Sequence, residues 1–371
     1  RGLGDVYKRQ VYHANGKLKY TYGGDHGEWR HDGCFCVDGL VYPDRRLHTG
    51  AKEMKNVYRP VRAEYSDGKL TFTNTNRFKN SSYITAVWEA VKDGNILIAA
   101  DELTLDIEPE QSKTFDIDFK IPDGACDCHI NVYYYAGEDE IAFEQHAVKE
   151  KYVCESAAES GNISVDTTAT TCKLSFGDGS VTFSPLSGEM TSYIHSGKEH
   201  VNQSPAAFKG FLPNIYRAYL DNDTHYRDKW IAAGYDDYAC VCNKFDASVE
   251  DGKAVVTVDY RLKSAKSIRP LGKVKIVYTV YANGVIDVKA LFEPVSHKLL
   301  AAHMPRFGLT LEMPECFGNV QYYGMGKEEN LSDLYAQSII GIYDTTVAEM
   351  HEPYIRPPVS YTHLTLPTTE R

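Results

Sequence analysis

The chain has 371 residues, 43% of them hydrophobic and 25% charged, with a formal net charge of −11. That length supports two or three domains, each with a sizeable core. An acidic balance without a Lys/Arg cluster argues against nucleic acid as a partner, and the lack of a long apolar run excludes a membrane-spanning helix.

In chain order, the first segment stands apart. RGLGDVYKRQ, residues 1–10, lacks an initiator Met and a signal-peptide pattern, as the Thr-rich 359–371 lacks any link to the period before it. Both ends are expected to be non-native, adapter-like sequence, and the chain between them an internal fragment. Next comes YGGDHGEWRHDGCFCVDGLVYPDRR, residues 22–46, the richest stretch in functional groups. A helix is predicted from Thr49, where a Thr cap precedes a Glu in the first turn. From 57 to 153, runs such as KLTFTN, YITAVWEAV and CHINVYYY are rich in Val, Ile, Thr, Tyr and Phe and leave room for some seven strands, the size of an immunoglobulin-like sandwich. CESAAESGNIS, 154–164, is small, polar and linker-like, and a second, larger β unit runs over 165–358. Asp67-Gly68, Asp93-Gly94, Asp178-Gly179, Asp251-Gly252 and Asn283-Gly284 punctuate the strands as hairpin turns.

Six of the nine cysteines form C-x-C pairs, Cys34/Cys36, Cys126/Cys128 and Cys240/Cys242. On a strand, i and i+2 share a face, so buried thiols are expected rather than zinc ligands, which favours a reducing cytoplasm. The carboxylates Asp25, Glu28 and Asp32 suit turn capping better than acid/base chemistry. His26, His31 and His48 have no companion at metal-site spacing. Gly23, Gly24 and Gly27 serve a tight loop, because no βαβ unit surrounds them. Asp221 and Asp223 flank Asn222 without an EF-hand's Gly and Glu, so structural hydrogen bonding is expected there, with Arg217 as partner.

The 22–46 stretch resembles the segment that closes the catalytic barrel of the family 2 glycoside hydrolases of the long-chain β-galactosidase kind. The residues that carry the resemblance are Gly23-Gly24-Asp25-His26-Gly27-Glu28, His31-Asp32, Phe35-Cys36-Val37-Asp38-Gly39-Leu40-Val41, Asp44-Arg45, His48, Glu53 and Lys55. Further blocks follow in the family's order: NRFKN at 76–80, IYRAYLDNDTHY around Arg217, YYGMGKEENLSD and EPYIRP. The resemblance implies a mainly β fold: the end segment of a (β/α)8 barrel over 11–56, an immunoglobulin-like β-sandwich over 57–153, and a truncated mutarotase-like β-supersandwich over 165–358.

It also implies a retaining β-galactosidase acting on β-galactosides such as lactose, bacterial, cytoplasmic and homo-oligomeric, whose two catalytic glutamates lie on barrel strands upstream of residue 11. No catalytic residue is therefore expected in this chain. By the same resemblance, the Phe35 backbone carbonyl and the Asp38 side chain hold Na+ (or K+) beside the sugar, which Asp38 also contacts. His31 stands near a peripheral Mg2+. At the position of Asp38 the best-known members carry Asn, so a full negative charge replaces a neutral carbonyl oxygen. The alternatives are a non-catalytic carbohydrate-binding or assembly module and, less favoured, a sugar epimerase, for which His303 lacks an acidic partner in sequence.

Overall fold

The computed structural model describes residues 10–12, 18–33, 39–42, 45–150 except 122 and 125, 159–295 except 160, 206, 208, 209, 218 and 220–222, and 303–350 except 332. They divide into two units, one formed by the described residues up to 150 together with 319–350, the other by 159–318.

In the first unit, seven antiparallel strands form two sheets. Val61–Ser66, Lys69–Asn74 and Ser112–Asp116 make a three-stranded sheet; Ile84–Lys92, Asn95–Leu105, Asp127–Ala136 and Asp139–Glu150 make a four-stranded one. Alternation decides which face is inward: Val61, Ala63, Leu70 and Phe72 from the first sheet meet Ile84, Ala86, Trp88, Ile130, Val132 and Tyr134 from the second, all buried. Phe72 packs edge-on against Tyr134, with ring centroids 6.2 Å apart. This is the expected immunoglobulin-like sandwich. The turns at Asp67-Gly68, Asp93-Gly94 and Asp251-Gly252 carry positive φ at both residues, as their sequence requires. At the predicted Asp178-Gly179 turn Phe176 pairs with Gly179, so the turn residues are Gly177 and Asp178. Gly179 is instead required by close approach, because a Cβ there would collide with the Ile194 carbonyl.

Strand Asp127–Ala136 is buried on both faces. Its second face bears Asp127, His129 and Asn131, each no more than 5% exposed, and polar groups so buried need partners. The hairpin Asn319–Gly326/Ile339–Thr346 supplies some of them. Tyr323 donates to Asp127 at 2.7 Å, and the Gln145 amide pairs with the Ile340 backbone in both directions at 2.9 Å, as a neighbouring strand would. From sequence residues 319–346 are expected within the 165–358 block, but they pack in the first unit. Most of the predicted 154–164 linker lies outside the described residues.

Burial also sets a pH response in this unit. Desolvation depresses the pKa of His129 despite Asp127 and Glu150 nearby, and that of His146 despite Glu144 and Glu64, with Arg59 adding to the depression of His146. Both rings are therefore neutral in the native state, whereas the unfolded chain takes up their protons near pH 6.5. The stability they contribute is full above that pH and is lost as pH falls toward the depressed native values. Urea midpoints of the first unit should drop between pH 7.5 and 5.5, and His146→Gln should flatten the slope; an unchanged slope in that variant removes His146 from the account.

The second unit pairs a five-stranded sheet, Ile163–Thr167, Cys172–Phe176, Gly179–Phe183, Met190–His195 and Lys198–Glu199, with a four-stranded one, Ala239–Glu250, Lys253–Lys263, Gly272–Val280 and Ile286–Pro294. One continuous core fills the space between them, with Phe183 5.0 Å from Tyr278. Cys172 and the Cys240/Cys242 pair turn toward this core, and burial pushes the Cys240 thiol up to about 12. Cys126 and Cys128 are buried in the first unit, and the Cys128 thiol is pushed up to about 11. The buried-thiol expectation fits Cys126 and Cys128, while Cys240 and Cys242 are half-buried against the core of the second unit; Cys34 and Cys36 lie outside the described residues.

Two helices are present among the described residues. The first, α1, spans Thr49–Val57, but its N-cap is His48 with no side-chain cap, one residue before the predicted Thr. The second, α2, spans Thr224–Ala233 and ends at Gly234, whose φ of +83° suits a left-handed C-terminal turn.

Candidate functional site

The loop from Thr21 to Gly33 is built on its own backbone. The Gly23 amide donates to the Gly33 carbonyl at 3.0 Å and closes it. Gly24 has φ +87°, and a Cβ there would lie 2.5 Å from His31 Nε2, so only glycine lets the imidazole lie against the chain. Asp25 accepts from the Tyr22 amide at 2.7 Å; Glu28 accepts from the Gly24 and His26 amides at 2.9 and 3.0 Å. Its own backbone amide first, then that of Gly24, hold the Glu28 carboxyl below the usual carboxylate range. These carboxylates cap turns. His31 is exposed, and its Nδ1 accepts the Gly33 amide at 3.3 Å.

Phe35 and Asp38 lie outside the described residues, as do Cys36, Val37 and Asp44. The chain on the far side of 34–38 is held tightly. Val41 bridges Leu47, the Tyr42 amide donates to the Arg46 carbonyl at 2.8 Å, and the His48 amide donates to the Leu40 carbonyl at 3.0 Å. The His48 and Tyr42 rings pack at a tilt of 55° with centroids 3.8 Å apart, and the Arg46 guanidinium lies 4.9 Å over the Tyr42 ring. This turn runs directly into α1.

Helix α1 is fastened to the sandwich and the C-terminal hairpin by polar contacts. Asn56, 1% exposed, donates to the Ala336 carbonyl at 2.8 Å and accepts from the Phe143 amide at 2.9 Å. Glu53 accepts from the Gln337 amide at 2.8 Å, Lys55 pairs with Glu140 at 2.7 Å, and Lys52 pairs with Glu328. Glu53 and Lys55, singled out in the 22–55 pattern, thus serve to place the helix that follows the site loop. The hairpin's part in this was not foreseen, because no local pattern links residues some 280 positions apart.

Among the described residues, no three His, Cys, Asp or Glu side chains converge as a metal site. The chemistry of the donors separates the two expected ions. A backbone carbonyl and a carboxylate, as at Phe35 and Asp38, are hard oxygen donors suited to Na+ or K+. The imidazole of His31 is a poor magnesium ligand, and one of its nitrogens already accepts a backbone amide.

In the second unit, Arg217 makes two contacts to Asp223, one at 3.1 Å, and its guanidinium lies 5.5 Å over the Trp230 ring. The expected structural partnership of Arg217 is therefore present, with Asp223; Asp221 and Asn222 lie outside the described residues. Trp230 Nε1 donates to the His303 carbonyl at 3.0 Å, and the His303 ring packs edge-on to Tyr226. The sequence also left unread a polar layer on the sandwich, in which Glu89 accepts from Asn131 at 2.9 Å and from Tyr133 at 3.0 Å. Its residues alternate with Cys128, Ile130 and Val132, a pattern that reads as a solvent face until the hairpin is known to cover it.

Three family models match the chain in succession: glycosyl hydrolases family 2, TIM barrel domain, over 5–63; β-galactosidase, domain 4, over 70–149; and β-galactosidase small chain over 176–360. The first of these reaches into residues 1–10. Barrel end, sandwich and larger β unit together define a chain of the family 2 glycoside hydrolases.

Curated relatives narrow the class. A protein of Actinobacillus pleuropneumoniae named β-galactosidase is 29% identical over 95% of this chain, and β-galactosidases of Staphylococcus xylosus and Streptococcus thermophilus are each 26% identical over 94% and 97% of it. The chain belongs to the β-galactosidase family of these hydrolases. It spans about a third of the length of these relatives, 35% in each case. Among the described residues no helix is long and apolar enough to cross a membrane.

Proposed function

We propose that this chain forms one wall of the galactoside pocket of a retaining β-galactosidase of the bacterial cytoplasm. In this reading the catalytic glutamates come from barrel strands that are not among its residues. The observation that supports it most is the succession of barrel-end, domain 4 and small-chain matches in one chain, with the Gly23–Arg45 block at the barrel end. The Phe35 carbonyl and Asp38 carboxylate hold a sodium or potassium ion, and Asp38 contacts the sugar. When bound, the ion supplies positive charge to orient a sugar hydroxyl. The loops at 21–33 and 40–48 precede and follow this segment in the chain, each closed by its own backbone hydrogen bonds. Magnesium and self-association belong to the complete enzyme, with His31 no closer than the neighbourhood of the magnesium ion.

The test is a chimera in which this chain replaces the matching third of the Actinobacillus enzyme. The folded chimera should hydrolyse a nitrophenyl β-galactoside, lactose should compete, and the chain alone should be inactive. Asp38→Asn should raise the half-saturating sodium concentration by about tenfold, because a unit charge is removed from an oxygen shell near the cation. A folded but inactive chimera, with galactose binding retained by the chain alone, would favour the carbohydrate-binding alternative. Unchanged sodium dependence would remove Asp38 from the cation site.

A further inference from the structure

The outward face of the four-stranded sheet in the second unit gathers charges that the fold leaves unpaired. Alternation along Lys253–Lys263 and Gly272–Val280 sends Tyr260, Leu262, Val274 and Ile276 into the core and leaves Asp259, Arg261, Lys273 and Lys275 on the other face. In register, Arg261 stands opposite Lys273 and Asp259 opposite Lys275; on Ile286–Pro294, Glu293 faces Lys273 and Leu291 faces Lys275. These residues line a depression of about 290 Å³. Two cations directly opposite each other on neighbouring strands repel, and an anion between them relieves the repulsion. Among the described residues, none of Arg261, Lys273 and Lys275 is held in an ion pair or a side-chain hydrogen bond, although Asp259 and Glu293 adjoin them. An independent feature points to the same place. The pairing of Ala239–Glu250 with its neighbour slips between Cys242 and Lys244, so that Asn243 and Lys244, adjacent in sequence, are both exposed. Such a bulge re-aims a side chain, and Asn243 lines the depression. Lys244 is instead engaged with Asp246 at 3.0 Å.

We propose that this depression binds a phosphorylated monosaccharide. The phosphate lies between Arg261 and Lys273: the guanidinium offers a fork to two oxygens, the ammonium a point charge, and together they match a dianion. Lys275 adds a further donor beside them. Inorganic phosphate would leave Asn243 unused and would be opposed by the two carboxylates. Sugar hydroxyls donate to Asp259 and Glu293, and the Asn243 amide both donates and accepts. Leu291, 58% exposed, supplies an apolar wall for the ring carbons. The volume lies at the lower end of the roughly 300–1,000 Å³ of small-ligand pockets, room for one sugar ring rather than an oligosaccharide. The carboxylates also argue against a nucleic-acid backbone, whose successive phosphates need an unbroken run of positive charge. No residue of the 21–48 segment takes part, so the inference does not rest on the galactosidase reading.

The experiment is isothermal titration of the full chain with glucose 6-phosphate, inorganic phosphate and glucose as separate probes. Glucose 6-phosphate should bind with a Kd below about 1 mM, at least tenfold more tightly than either of the others. Arg261→Gln and Lys273→Gln should each weaken it about tenfold, the loss of one charge-assisted contact, while Lys244→Gln leaves it unchanged. Both side chains are exposed, so the variants should keep the circular dichroism and melting midpoint of the parent. Asp259→Asn with Glu293→Gln should erase the preference over inorganic phosphate. Equal affinity for glucose 6-phosphate and inorganic phosphate in the parent chain overturns the sugar assignment, and unchanged binding in Arg261→Gln and Lys273→Gln overturns the location. Binding by the chain but not by the folded chimera described above would show this face covered in the complete enzyme, which also overturns the proposal. A chimera that binds glucose 6-phosphate without hydrolysing galactosides keeps this site and removes only the activity reading.

Discussion

Glu144→Ala is expected to destabilise the first unit by about 3–5 kcal/mol, the range for removing one partner of a buried ion pair. Glu144 is 9% exposed at its side chain and pairs with Arg59, itself 15% exposed, at 2.6 Å. Its other oxygen accepts from the Ala63 amide at 2.7 Å and from the Tyr134 hydroxyl. Truncation leaves a guanidinium, a phenol and an amide without that acceptor in a place water reaches poorly, and each incurs its own desolvation cost. Arg59 also donates to the Asn56 carbonyl at 2.8 Å, so the loss extends to the end of α1. Urea unfolding followed by Trp88 fluorescence measures the change. A loss below about 1 kcal/mol would mean that the three groups find other partners. Glu144→Gln keeps the acceptor oxygen but not the charge, and should fall between the two.

The two sheets of the sandwich were legible because strands such as Lys69–Asn74 and Ile84–Lys92 alternate and two of their turns are spelled Asp-Gly. Leu70 and Phe72 alternate with Thr71 and Thr73, and that pattern alone states which face is buried. The turn after Met190–His195 is built on Ser196-Gly197, both at positive φ, and follows the same rule through a less conspicuous pair. What the sequence could not convey was the partner of a face. Asp127, His129 and Asn131 carry a solvent-like pattern because their cover arrives from residues 323–340, and burial of polar groups by a distant hairpin leaves no periodic signal. Helix α1 shows the same limit from the other side: Met54 and Val57 are exposed there, while the polar Asn56 is the buried, docked residue. For the candidate site, the glycines and capping carboxylates of 22–33 were readable from turn chemistry. The roles of Phe35 and Asp38 rest on the family pattern, since no spacing rule singles out a carbonyl and one carboxylate.

Asn56→Leu is expected to cost about 3 kcal/mol and to loosen the site loop without unfolding the sandwich. Asn56 uses both ends of its amide on backbone groups of two other segments, the Ala336 carbonyl and the Phe143 amide. Leucine fills a similar volume but satisfies neither, and each buried backbone group left unpaired costs about 1–3 kcal/mol. Asn56→Asp keeps the acceptor for Phe143 but sets a buried carboxylate oxygen against the Ala336 carbonyl, so it should cost at least as much as the leucine. The functional consequence follows from chain order. Residues 40–48 lead straight into α1, and the His48 amide bonds back to Leu40 across that turn. A helix freed at Asn56 lets the turn open more often, because local opening follows the least-secured contacts. Hydrogen exchange at the Tyr42 and His48 amides should therefore accelerate at least tenfold in Asn56→Leu, while the amides of Phe72 and Val132 in the core strands keep their protection. Acceleration confined to the core strands, with His48 unchanged, would show that the site loop is held from elsewhere and that α1 does not carry the sandwich's rigidity to it.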